Sequence, residues 1–116
     1  MKTALDVFNK VSEHLLDQNH RALSVADLSC VYRSPTGLKC AVGCLIEDQF
    51  YSRGLEGLDV RHGVIENVLK LSGVPVTETV LRLLQELQQL HDYVTPAGWP
   101  DRLEQIKDNF FGVKHD

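Results

Sequence analysis

The 116 residues suffice for one domain, spanning 1–116, that buries about two-thirds of its unfolded surface, so neither a disulfide nor a metal staple is required. Apolar residues make up 43% and charged residues 24% of the chain, ordinary proportions for a soluble globular protein. Twelve Lys and Arg against 16 Asp and Glu leave a net charge of −4 with no basic stripe. That disfavours nucleic acid as a partner, and the acids are too well balanced for a DNA mimic.

The first element is a helix. Thr3 and Asp6 have the spacing of a capping box, and Ala4, Phe8, Val11 and Leu15 repeat on one face up to Gln18–Asn19. Asp6 and Asn9 fall where a signal peptide would be apolar. The apolar runs are far shorter than the roughly 20 residues that cross a bilayer. A cytosolic protein with no membrane role is expected. Arg21–Ser29 has no clear pattern; Ser24 is a candidate cap for one short turn.

All three cysteines lie in the next stretch, Cys30 to Cys44. Ser34-Pro35-Thr36-Gly37 has the residue preferences of a type I turn, which predicts a two-stranded β-hairpin over about 30–42 with a bulge at Gly37. In that register Ser34 faces Leu38, Tyr32 faces Cys40, and Cys30 faces Val42. Cys30, Tyr32, Leu38, Cys40 and Val42 then share an inward apolar face, while Val31, Arg33, Lys39 and Ala41 share the other.

Cys44–Tyr51 reads as a helix of about two turns, and Ser52–Asp59, with Gly54 and Gly57, as a loop. A helix over Val60–Ser72 presents Val64, Val68 and Leu71 and stops before Gly73 and Pro75. The strongest pattern follows Thr77 and Thr79: Val80, Leu83, Leu84, Leu87, Leu90, His91 and Val94 form one stripe that Pro96 ends. Pro100 suits the first turn of a last helix lined by Trp99, Leu103, Ile106 and Phe110 and closed by Gly112. The predicted fold is α+β and mostly helical, with four main helices and one short helix packed against the hairpin. Leu45, Leu55 and Leu58 remain as apolar positions that a dimer could use.

Three cysteines cannot all pair within one chain, and reduced thiols are the default in the cytosol. The spacing of Cys30, Cys40 and Cys44, with His91 as a fourth ligand, lies loosely within the range of structural zinc. Cys44 follows Gly43 at a strand-to-helix junction, where helix-end N–H groups favour a thiolate. A nucleophile there needs an imidazole base with its own orienting group. Successive helical residues diverge by about 100°, so Asp92 is not expected to orient His91. The preferred reading makes the cysteines core packing, with His91 satisfied by a backbone carbonyl, no metal and no cofactor. Glu47, Asp48 and Glu56 read as solvated carboxylates, and Gly54-Leu-Glu-Gly57 lacks the Lys-Ser/Thr ending of a phosphate loop.

The run Cys30-x-Tyr-Arg-Ser-Pro-x-Gly-Leu-Lys-Cys40-Ala-Val-Gly-Cys44-Leu-Ile resembles a family of small uncharacterised proteins of bacteria and their phages. Asp48, Tyr51, Leu55-Glu56-Gly57, Leu84-x-x-Leu-Gln-x-Leu-His-Asp92 and Trp99-Pro100 extend the resemblance. It implies a cytosolic protein of phage or prophage origin and brings no activity, ligand or catalytic residue. With no catalytic set and no basic surface, the expected function is a protein-interaction module directed at a host component. The alternative is a structural-zinc or reactive-cysteine protein, an enzyme in the second case, centred on Cys40, Cys44 and His91.

Overall fold

Local sequence accounts directly for the first helix of the computed structural model, which describes residues 1, 3–24 and 29–112. Helix α1 covers Ala4–Gln18. Thr3 Oγ1 accepts the Asp6 N–H and Asp6 Oδ2 accepts the Thr3 N–H, both at 3.1 Å, so the capping box is complete. Asn19 ends the helix in the left-handed region at φ 53°, its N–H bonded to the Leu15 carbonyl. Val7, Phe8, Val11 and Leu15 are buried.

Helix α2 spans Gly63–Leu71, α3 Glu78–Tyr93 and α4 Trp99–Phe111. Thr77 caps α3 through its hydroxyl, which accepts the Val80 N–H at 3.1 Å. Pro100 sits in the first turn of α4, where a missing N–H is no loss. Helices α1, α3 and α4 pack together. Trp99 is fully buried, donates its indole N–H to the Val94 carbonyl at 2.8 Å and stacks on His91 with ring centres 5.9 Å apart. Phe8 meets Phe111 edge-on at 5.8 Å.

The α3 stripe is buried from Val80 to His91, and Leu81 joins it. The buried face of α2 differs from the predicted one. Ile65, Val68 and Leu69 point inward, while Val64 and Leu71 are about half exposed. The segment Val64-Ile65-Val68-Leu69-Leu71 carries two overlapping apolar stripes, and periodicity alone does not choose between them.

The predicted β-hairpin is absent: the described residues contain no strand, only isolated bridges at Arg33↔Lys39 and Leu23↔Cys30. The architecture is therefore helical rather than α+β. Backbone bonding shows why. The Ser34–Gly37 turn closes with Gly37 at φ 91°, Ser34 N–H reaches the Leu38 carbonyl at 2.8 Å, and Cys40 N–H reaches the Tyr32 carbonyl at 3.1 Å. The next rung would need Tyr32 N–H on the Cys40 carbonyl. Instead Glu56 Oε1 accepts the Tyr32 N–H at 2.8 Å, and the Cys40 carbonyl accepts the Cys44 N–H at 3.0 Å. Both partners are diverted, so pairing stops there. Cys30 never faces Val42; it bridges Leu23, and Val31 N–H bonds the Ala22 carbonyl at 3.0 Å.

Side chains from distant elements finish the job a second strand would have done. Gln18 Oε1 accepts the Lys39 N–H at 2.9 Å while Gln18 Nε2 donates to the Lys39 carbonyl at 2.8 Å. Gln88 Oε1 accepts the Val42 N–H at 3.2 Å. Buried backbone groups need partners, and here a carboxylate and two amides supply them.

The short helix expected over Cys44–Tyr51 is two separate 3₁₀ turns, Gly43–Leu45 and Asp48–Phe50, and the following loop holds a third, Arg53–Leu55. A fourth, Pro96–Gly98, leads into α4. A Cβ on Gly43 would lie 2.0 Å from the Tyr32 carbonyl oxygen, so only glycine fits. Leu45 and Leu55 belong to the core and offer no surface to a dimer, while Leu58 is half-buried. Ser24 lies at the edge of the described residues, and the turn it was expected to cap, over 25–28, lies outside them.

Candidate functional site

Helical spacing on α3 places Gln88, His91 and Asp92 side by side, at i, i+3 and i+4. Cys30 arrives from the Leu23↔Cys30 bridge, and Ala22 lies on the same bridge. Asp92 is the hub. Its Oδ1 accepts from His91 Nδ1 at 2.9 Å and from Gln88 Nε2 at 2.9 Å, and the Cys30 sulfur lies within 4.8 Å of an Asp92 oxygen. Burial acts to raise the Asp92 carboxyl, and the neighbouring His91, Cys30 and Gln88 outweigh it and hold it below its ordinary value. The expectation that Asp92 could not orient His91 is thus overturned, since His91 Nδ1 and Asp92 Oδ1 are 2.9 Å apart.

His91 itself is fully buried. The Ala22 N–H donates to Nε2 at 3.0 Å, which requires a lone pair there and puts the ring proton on Nδ1, facing Asp92. Its partners are therefore an amide N–H and a carboxylate, not the predicted carbonyl. Arg21 Nε adds a bond to the His91 carbonyl at 3.0 Å. Every polar position of the imidazole is committed.

That commitment decides the chemistry. Among the described residues, the Cys30 sulfur, a His91 ring nitrogen and an Asp92 oxygen lie within 4.8 Å of one another and could in principle share a metal ion. A cation would need the Nδ1 lone pair, moving the proton to Nε2, directly against the Ala22 N–H. The donor set as arranged does not fit a metal. Nor can His91 take a proton from a thiol, since its one basic nitrogen is already bonded.

Cys40 and Cys44 do not join this group, so the set Cys40, Cys44 and His91 is not brought together. Cys40 is fully buried and its sulfur accepts the Gly43 N–H at 3.2 Å; burial pushes its thiol far up. The Cys44 thiol donates to the Ala41 carbonyl at 3.1 Å, and burial pushes it up to about 12 despite Lys10 and Lys39 nearby. Burial, with Asp92 adding to it, raises Cys30 to about 11. None of the three is an activated thiolate.

Beside Cys30 and Asp92 a groove of about 360 Å³ opens between the 56–60 loop and α3. Its walls include Val31, Tyr32 and Leu58, three carboxylates (Glu56, Asp59 and Asp92), and Tyr93, which is 82% exposed. Glu56 is no solvated bystander. Besides Tyr32 N–H it accepts the Arg33 N–H at 3.2 Å and the Tyr51 hydroxyl at 2.7 Å, both on Oε2. Arg33 is fixed in turn by Asp48 at 2.8 Å and the Ile46 carbonyl at 2.6 Å, and its guanidinium lies 4.6 Å from the Tyr51 ring centre. The Tyr32 hydroxyl bonds the Leu58 carbonyl, tying the two walls together.

Sequence reasoning missed Glu56, Gln88 and Ala22 as determinants of this site. Gln88 and Asp92 are four apart on a helix, a readable signal. Glu56 and Ala22 act across 24 and 69 residues and leave none. Comparison of the chain with family models, with curated proteins and with solved structures gave no match in any of the three.

Proposed function

We propose that the chain is a small protein-interaction module of the cytoplasm whose contact site is the groove between the 56–60 loop and α3. The carrying observation is the contrast at that site. Carboxylates, apolar walls and a largely exposed Tyr93 meet solvent, while the groups that catalysis would need are locked behind them. An exposed aromatic at the rim of a mixed polar and apolar depression is a frequent anchor of protein recognition. No helix among the described residues is long and apolar enough to cross a membrane. The resemblance to small bacterial and phage proteins directs the proposal to a host protein as partner, for a chain carried by a phage or prophage.

The test is site-specific photocrosslinking. A benzoylphenylalanine in place of Tyr93, in cells or lysate of a bacterial host, is expected to give one recurrent adduct. The same group at Glu104, exposed on α4, should give none. A second probe at Leu16, exposed on α1, covers a partner that docks elsewhere. Background labelling alone from Tyr93 and Leu16 would refute the interaction reading.

A further inference from the structure

The groove is acidic in a way the whole chain is not. It is lined by Glu56, Asp59 and Asp92, and among the described residues no lysine or arginine lines it. The nearby arginines are turned elsewhere. Arg61 forms paired bonds to Glu78 at 2.8 and 2.9 Å and a third to Gln85, Arg33 is held by Asp48 and the Ile46 carbonyl, and Arg21, whose charge reaches Cys30, donates to the His91 carbonyl at 3.0 Å. The field of the three carboxylates converges on the groove floor: the Tyr32 hydroxyl there is pushed up by burial first, then by Cys40, and then by Glu56, Asp59 and Asp92 together.

These acids are also fixed in place and incompletely used. An ionised carboxylate offers about four acceptor sites. Asp92 receives two donors and Glu56 three, while Asp59 receives the Arg61 N–H at 2.8 Å. Each keeps acceptor capacity, and the bound donors hold Glu56 and Asp92 in position at the groove wall before any ligand arrives. Tyr93 adds an aromatic face at the rim. A volume of about 360 Å³ is ample for a single long side chain. The groove suits one long side chain and its flanking backbone.

From this arrangement we infer that the groove between the 56–60 loop and α3 receives an arginine side chain from the partner protein. A planar guanidinium spreads five donors over fixed carboxylates and stacks on a tyrosine face, where an ammonium offers a compact point charge. The inference rests on the interaction reading above and specifies the partner's chemistry.

The probe is the blocked pentapeptide Gly-Ser-Arg-Ser-Gly, compared with its citrulline counterpart, titrated into ¹⁵N-labelled protein. Citrulline keeps the shape and removes the charge. Expected are saturable amide shifts confined to the groove, at Gly57, Asp59, Gln89 and Tyr93, with the citrulline peptide at least tenfold weaker. Asp59→Asn and Tyr93→Ala, both at exposed positions, should each weaken binding severalfold without altering the remaining spectrum, whereas Glu104→Gln on α4 should change nothing. Shifts spread over the surface, equal binding of citrulline, or equal weakening by Glu104→Gln would overturn the inference. A crosslinked partner at Leu16 or Tyr93 with no arginine binding in the groove defeats this inference and leaves the interaction reading intact. Arginine binding in the groove without any crosslinked partner refutes the interaction reading, and with it the assignment of that arginine to a protein.

Discussion

Replacing Glu56 by alanine isolates the device that stands in for the missing strand. The substitution strips acceptors from the Tyr32 and Arg33 N–H groups, at 2.8 and 3.2 Å, and from the Tyr51 hydroxyl at 2.7 Å. Tyr51 is half-buried and can turn to water, so its bond contributes little to the loss. Tyr32 is only 7% exposed, and Glu56 is the acceptor bonded to its N–H. A buried donor left unmade costs about 1–3 kcal/mol, and the longer Arg33 bond adds a smaller amount, so Glu56→Ala should cost about 2–4 kcal/mol. With a urea m-value of about 2 kcal/mol/M, the unfolding midpoint drops by about 1–2 M. Glu56→Gln keeps one oxygen for one N–H but turns an amide NH₂ against the other, and should fall between the alanine variant and the native chain. Trp99, the single and fully buried tryptophan, reports unfolding by fluorescence. Hydrogen exchange at Tyr32 and Arg33 should accelerate in step. A loss under about 0.5 kcal/mol at unchanged m would mean that water satisfies these amides as well as Glu56 does, and the account of the clasp would be wrong.

Other outcomes rest on single contacts. Gly43→Ala drives a Cβ to 2.0 Å from the Tyr32 oxygen and should cost about 3 kcal/mol or more, while Gly54→Ala, whose nearest neighbour is Ser52 Oγ at 3.7 Å, should stay within about 0.5 kcal/mol in the same urea titration. Iodoacetamide labelling monitored by mass spectrometry should be slow at neutral pH and rise with pH past 9. At Cys30, a shift from 9.0 to about 11 lowers the thiolate fraction about a hundredfold, and rapid labelling at pH 6 would contradict the raised thiols. The Asp92 carboxyl lies below its ordinary value of 3.8, so the stability it contributes is complete above that pH and is lost as pH falls below it. Asp92→Asn should therefore destabilise the protein more at pH 6 than at pH 3, and equal losses at both would show that the carboxylate's charge is immaterial. In a long-range ¹⁵N–¹H spectrum at neutral pH, His91 should show its proton on Nδ1; a proton on Nε2 would break the assignment built on the Ala22 N–H.

The helices were readable because their instructions are local. Thr3 and Asp6, Thr77, and Pro100 act within one turn of their own helix, and the α3 stripe repeats over four turns without ambiguity. The segment from Cys30 to Ile46 was misread for the opposite reason. Its turn chemistry at Ser34–Gly37 is local and present, but the backbone pairing on either side is set by Glu56, Gln18 and Gln88, whose side chains reach backbone groups 24, 21 and 46 residues away. Alternation of apolar residues cannot register such partners. The same limit hid the site. Cys30 and His91 stood out by residue type, yet their roles depend on Asp92 as a shared acceptor and on the Ala22 amide, which no spacing rule connects to them.

The use of side chains in place of a neighbouring strand also changes what the Cys30–Ile46 segment offers to other copies of the chain. A hairpin at the margin of a helical bundle would present a row of vacant donors and acceptors, a template for edge-to-edge growth between molecules. Here Glu56, Gln18 and Gln88 occupy those positions from within, at Tyr32, Arg33, Lys39 and Val42. Intramolecular clasps of this kind let the Cys30–Ile46 segment do without a neighbouring strand while not inviting aggregation through its backbone.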